Sequence, residues 1–330
     1  MIQKDQKLNP RLFELSVEQA AIRQGFGEGL LEAGEADKNV VVVTADLKES
    51  TRVEMFAHKF LERTFDVGVA EQNLAGVGSG LAAMGKIPFI ASYAIFSPGR
   101  NWEQIRTTIC YNNQPVKIAG SHAGLSVGPD GGSHQALEDI ALTRVLPNMT
   151  VVAPCDAVEA YKATLAVAKH PGPCYLRLAR EKTPVITTDS SPFEIGKANI
   201  LFEAEKAKIG IIACGSLVYQ ALLAARKLSR EGIPVVVLNC HTIKPIDRET
   251  IILLAARVEA IITVEEHQRA GGLGGAVAEV LAEDYPKKMA IMGVNDAFGQ
   301  SGEASELIER YGLGADDIID TAKSLVGKKK

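Results

Sequence analysis

Val40-Val41-Val42-Val43 is the stretch that most narrows what this chain can become. Four β-branched residues in succession leave no polar face, so as a strand they must be covered on both sides. That is the place of a strand inside a parallel sheet with helices on either face. Similar short apolar runs recur along the chain, separated by helical patterns. Strands are expected over 64–67, 87–92, 116–119, 150–153 and 174–178. Helices are expected over 17–33, with Ser16 as cap and Gly34 near the end, from about Glu71 onward, and over 102–111, 137–144 and 157–169. Strands alternating with helices predict an α/β fold built on a doubly wound parallel sheet.

The pattern breaks over 183–197, where two prolines, two serines and three threonines read as a linker. Beyond it a second, smaller α/β unit begins. Its strands are expected over 209–213, 234–239, 260–264 and 289–292, and its helices over 217–230, 248–257, 276–283, 304–311 and 316–325. Leu217, Ala221, Ala225 and Leu228 fall on one helical face. A length of 330 residues suits two domains, here placed at 1–190 and 191–330.

Composition removes several function classes. Hydrophobic residues make up 46% and charged residues 23%, and the net charge is −4, which gives no reason to expect a nucleic-acid partner. No segment approaches the roughly 20 apolar residues that span a bilayer, so no membrane partner is expected. The closing Lys328-Lys329-Lys330 reads as a solvated tail. Five cysteines lie scattered without a CxxC pair and read as small buried residues of a reducing compartment. With no signal-like run in MIQKDQKLNPRL, a cytoplasmic location is expected.

Chemistry concentrates at strand ends. Glu71 sits where the 64–67 strand gives way to a helix carrying Ala75, Gly76, Gly78, Ser79, Gly80, Ala82 and Ala83. Ligand crevices of open α/β sheets lie at such carboxyl ends. On position alone Glu71 is either a complement to the helix dipole or a desolvated proton donor. Asp46 ends the valine strand and reads equally as a helix cap or a crevice residue. Phe89 to Phe96 puts aromatics at another strand end, with Phe96 first and Tyr93 second as walls for a planar ring. The Gly-rich loop over 120–135 holds His122, Asp130 and His134, at no recognised metal-ligand spacing.

Residues 68–73, GVAEQN, resemble the motif that carries the catalytic glutamate of transketolases, and the resemblance runs through most of the chain. It implies that Glu71 hydrogen-bonds the aminopyrimidine ring of thiamine diphosphate. TADL, residues 44–47, is similar to that family's ADL motif, which puts Asp46 near the cofactor. The family pattern implies ring stacking by Phe96 and Tyr93, with Trp102 either filling nearby space or serving as core. It assigns substrate phosphate to Arg23, Ser50, His122 and Arg180, and guanidinium forks suit phosphate. The loop closely resembles that family's THxxxxxGxDGxxHQ pattern, which implies that Asp130 meets the hydroxyl that sets stereochemistry and that His134 serves the substrate's carbonyl and hydroxyl region. Pro129 departs from the family's frequent Glu, and Ser97-Pro98-Gly99 replaces a stretch holding a further aromatic. In the second unit, Glu265-Glu266-His267 and Gly271-Gly272-Leu273-Gly274 are similar to a family stretch at a subunit-facing edge without chemistry.

No GDG element, which would hold the diphosphate through Mg2+, occurs in the chain. What is present resembles the pyrimidine-binding and C-terminal domains alone. The resemblance therefore implies the C-terminal subunit of a split transketolase of the pentose phosphate pathway. It would move a two-carbon ketol unit between sugar phosphates. Its partner would be an N-terminal subunit holding Mg2+, in a two-plus-two heterotetramer. The small-residue helix over 75–83 is expected either at that interface or packed within its own domain. Three rivals stand beside this reading: the β subunit of a 2-oxo-acid dehydrogenase, a 1-deoxy-xylulose-5-phosphate synthase-like enzyme, and a non-catalytic regulatory subunit. DGGSHQ and AEQN argue against the first, the missing first half against the second, and the presence of Glu71, Asp130 and His134 against the third.

Overall fold

The valine run forms the strand Val40–Thr44, and all five of its residues are buried. The computed structural model describes residues 1–327, so the terminal lysines lie outside the described residues. The strand sits in a seven-stranded sheet. From one edge the order is Thr242–Lys244, Thr150–Val152, Cys174–Leu178, Lys117–Ser121, Ile87–Tyr93, Val40–Thr44 and Thr64–Asp66. Every pairing is parallel except that of Thr242–Lys244. Val40 and Val42 face Phe26, Leu30, Phe56 and Phe89 on one side, while Val43 joins Leu74, Ile90, Ile105 and Ile118 on the other. Helices cover both faces, as a doubly wound sheet requires. One close approach depends on a glycine: a Cβ on Gly25 would lie 1.8 Å from the Ala157 carbonyl oxygen, so the helices Ile22–Ala36 and Ala157–Lys169 pack there backbone to backbone.

The second unit is a five-stranded sheet in the order Lys288–Val294, Ala260–Gln268, Ile209–Ala213, Val235–Asn239 and Asn199–Glu203, with only the last strand antiparallel. Thr242–Lys244 leaves this unit and closes the edge of the first sheet, so the two units share a strand boundary. All five cysteines are buried and unpaired.

Several elements differ from expectation. The first helix begins at Ile22, not near Val17, and Ser16 does not cap it. Residues Gln19–Ala21 instead pair as a short strand with Lys182–Pro184, at the start of the expected linker. Pairing with a segment more than 160 residues away claims that backbone before the helix can. The helix also continues past Gly34 to Ala36. Gly34 is a packing residue, since its Cβ would fall 2.3 Å from the Phe56 ring. Asn199–Glu203 and Thr242–Lys244 are strands that the periodicity did not reveal. The expected 102–111 helix is one α turn at Trp102–Gln104 followed by a π-helix over Ile105–Cys110.

Candidate active site

Glu71 opens the helix Glu71–Ala83 at the carboxyl end of Thr64–Asp66, and it is 1% exposed. Polar and charged side chains meet it there. Arg100 Nη1 donates to Glu71 Oε2 at 2.6 Å, and Ser92 Oγ lies 3.4 Å from Oε1. Asn101 Nδ2 donates to the Glu71 carbonyl at 2.9 Å and to Ser97 Oγ at 3.2 Å, tying the helix start to the aromatic turn. Sequence reasoning missed Arg100, Ser92 and Asn101. Only the position of Arg100 and Asn101 just after the aromatic turn hinted at them.

Arg100 links the acid to the rings, because its guanidinium lies 4.7 Å over the Phe96 ring. Phe96 and Tyr93 stack with centroids 6.1 Å apart and planes 17° apart. Tyr93 in turn stacks on His122 at 3.9 Å. His134 meets both aromatics edge-on, at 5.5 Å from Phe96 and 6.1 Å from Tyr93. Tyr93 and His122 stand at the ends of the neighbouring strands Ile87–Tyr93 and Lys117–Ser121, and that parallel pairing is what stacks them. Trp102 takes no part. Its Nε1 donates to the Leu142 carbonyl at 2.7 Å and its ring packs on the core.

Beyond His122 the site is cationic. Arg23 Nε donates to the Arg180 carbonyl at 3.2 Å and its Nη1 to the Ser50 carbonyl at 2.6 Å, which brings Arg23, Ser50 and Arg180 together. Arg180 Nη1 also donates to the Val127 carbonyl at 2.8 Å, anchoring the Gly-rich loop. Burial, and then the nearby charges of Arg52 and Arg180, lower the Arg23 pKa. Two sequence candidates stand apart. Asp130 is exposed on the Leu125–Asp130 turn, and Asp46 is exposed at φ 60°, its N–H donating to Asp66 Oδ1.

Burial, followed by the charges of Arg23, Arg180 and His134, lowers the His122 pKa from 6.5 to about 3. The unfolded chain therefore takes up this proton first, and stability is lost as pH falls from 6.5 toward about 3. His122→Gln is expected to flatten that loss by up to about 1.4 kcal/mol per pH unit. Denaturant melts of both proteins at pH 7 and pH 5 measure it, and identical slopes would contradict the assignment. His241, lowered to about 4 by burial, keeps its own share in the variant.

The Glu265-Glu266-His267 stretch is not at a subunit-facing edge. It is buried inside the chain, where Glu266 accepts from Ser126 N at 2.9 Å and its carbonyl accepts from Arg177 Nη2 at 2.7 Å. Glu265 accepts the N–H groups of Leu273 and Gly274 at a helix start. A separate cleft of about 650 Å³ between the units is lined by Glu181, Glu266, Glu309, Asp316 and Asp317, the wrong sign for an anionic substrate.

Comparison with known proteins agrees with this arrangement. The transketolase pyrimidine binding domain matches residues 18–185 and the transketolase C-terminal domain matches residues 196–318. A putative transketolase C-terminal section of Methanocaldococcus jannaschii is 44% identical, over 93% of this chain and 96% of that protein. A 6-deoxy-6-sulfo-D-fructose transketolase subunit of a Clostridium species is 38% identical, over 96% and 98%. Among solved structures, a split gene transketolase described as an inactive beta4 tetramer aligns with a TM-score of 0.87 at 44% identity, over 94% and 99%. The order of domains and the strand-end site thus define a class, and the chain belongs to the transketolase family. Within it, this is a C-terminal subunit of the split-gene kind, a transferase component.

Membership implies thiamine diphosphate. The residues present fit its pyrimidine half: a buried carboxylate with Ser92 beside it, next to two near-parallel aromatic rings.

Proposed function

We propose that the chain supplies the pyrimidine half-site and the substrate's anion site of a two-chain transketolase, which moves a two-carbon ketol unit between sugar phosphates. The observation that carries this reading is the unbroken path of contacts from Glu71 through Arg100, Phe96 and Tyr93 to His122, with the Arg23–Arg180 pair beyond. One end suits a ring nitrogen and the other a phosphate. Bound thiamine diphosphate supplies the carbanion chemistry. Glu71 holds a proton against a ring nitrogen of the pyrimidine, and Phe96 and Tyr93 cover the ring face. Asp46, exposed at the end of Val40–Thr44, serves the cofactor as its motif implies. His134 and Asp130 meet the sugar's carbonyl and hydroxyls. Arg23, Ser50, His122 and Arg180 hold its terminal anion, and His122, uncharged at neutral pH, does so as a hydrogen-bonding group.

The chain carries no GDG element of its own. A separate N-terminal subunit holding Mg2+ and the diphosphate completes the site in a two-plus-two assembly, in the cytoplasm. The relatives' separate C-terminal chains support that division. The sulfo-sugar relative supports an anionic substrate end but leaves the sugar itself open.

Arg180→Ala tests the anion site. It is expected to raise KM for phosphorylated donors by roughly 10- to 100-fold, the worth of about 1.5–3 kcal/mol for a charged hydrogen bond. KM for an unphosphorylated ketose should rise far less, since it feels only the lost tie to the Val127 carbonyl. Equal losses on both substrates would remove Arg180 from the site.

A further inference from the structure

The turn that carries Asp130 and His134 is held from the other domain. Gln135, 2% exposed, is its anchor. One amide nitrogen, Nε2, donates to the Leu125 carbonyl at 3.1 Å and to the Gln300 carbonyl at 3.0 Å. Leu125 begins the Gly-rich turn, whereas Gln300 belongs to a loop of the second unit. That loop is itself pinned. Gln268 Nε2 donates to the Ala297 carbonyl at 2.7 Å, Gln268 Oε1 accepts from Asp296 N at 3.2 Å, and Tyr311 donates to the Phe298 carbonyl at 2.9 Å.

Glycines let the two backbones meet. A Cβ on Gly132 would lie 2.6 Å from the Gly299 carbonyl oxygen, and one on Gly131, at φ +75°, 2.5 Å from Ser301 Oγ. A Cβ on Gly299 would lie 1.7 Å from Gln135 Oε1, the side of the amide that has no donor among the described residues. The Gln135 amide is therefore wedged against the second domain by one face and tied to it by the other. His134, its chain neighbour, has its ring set edge-on to Tyr93 and Phe96.

We propose that Gln135 and the 297–301 loop are positioning elements for substrate. They fix where His134 stands against Tyr93 and Phe96 and hold the turn that carries Asp130, so the second domain sets discrimination among sugars. The inference rests on the reading of Asp130 and His134 as substrate groups. It gives the second domain a role in the reaction through contact with the turn alone.

Two variants test it in the assembled enzyme. Gln135→Met keeps the volume and removes the tie; Gly299→Ala keeps Gln135 and pushes it. Both are expected to raise donor KM and to weaken discrimination between donors epimeric at a hydroxyl by roughly 10- to 100-fold, as small misplacements do. Affinity for thiamine diphosphate, measured by calorimetry, should stay within about twofold, since Glu71 and the aromatic rings are untouched. Unchanged kinetics would overturn the proposal, and so would a parallel fall of cofactor affinity and turnover on every donor, the mark of a merely structural role. Amide exchange in the intact chain separates this from the functional reading. Either variant should speed exchange over 131–135 and leave the Glu71–Ala83 helix unchanged, whether or not the enzyme transfers ketol units. Equal protection over 131–135 would overturn the clasp by itself.

Discussion

Glu71→Gln is expected to lower kcat of the assembled enzyme by roughly 10²- to 10⁴-fold, the usual worth of a positioned proton-transfer group. The amide keeps the shape of the carboxylate and can still donate an N–H hydrogen bond, but it has no acidic proton to transfer to a ring nitrogen. Folding should survive. Gln can still accept from Arg100 through its oxygen, and the Arg100 side chain, 46% exposed, can also turn to water. The comparison to make is kcat against Tm for the same preparation. A variant with wild-type kcat would end the assignment of Glu71, whereas one that failed to melt cooperatively would show that the burial of the ion pair, not the proton, was the point.

The isolated chain is expected to bind thiamine diphosphate weakly and to transfer no ketol units, and addition of the N-terminal subunit should restore both. The helix after Glu71 gives the physical reason to expect an assembly. Its small residues divide by face. Gly78 packs inward, where a Cβ would come 2.6 Å from Ile90, while Gly76 and Gly80 face open space with nothing within 4 Å. Around that bare stripe Val69 is 71%, Met84 81% and Tyr111 85% exposed. Isolated apolar side chains are ordinary on a surface, but bare helix backbone flanked by large apolar residues is what a partner helix could cover. Calorimetric titration of cofactor and magnesium, with and without the partner subunit, decides the matter. Tight binding and turnover by the chain alone would refute the divided site.

Much of the fold is legible in the sequence itself. Val40–Thr44 could be placed because a strand buried on both faces leaves an unbroken apolar record, and the strand–helix alternation followed the same logic. Glu71, Tyr93, Phe96, His122 and His134, which the fold brings together, could be named because the motifs that hold them are local. Their partners could not. Arg100 looks like any loop arginine until the turn over 93–100 brings it back onto Glu71. Gln135 reads as the tail of a motif until a loop some 165 residues later arrives beneath it. The start of the first helix was misplaced for the same reason, since a strand partner from beyond residue 180 decides it. Gly34 was read as a stop because glycine has two uses, ending a helix and admitting a ring, and only packing tells them apart. Glu265 and Glu266 were placed at an edge by resemblance alone, and nothing local announced the backbone N–H groups that donate to them.

The Arg100–Glu71 pair matters most in the interval before any partner is present. A subunit of the split-gene kind that folds before its site is complete has to hold this acid without a ring nitrogen opposite it. During that time an uncompensated buried carboxylate would cost several kcal/mol. Arg100 provides a counter-ion from within the same chain, on a side chain nearly half open to water. A subunit built this way can wait for its partner with Glu71 held in place and neutralised by its own Arg100.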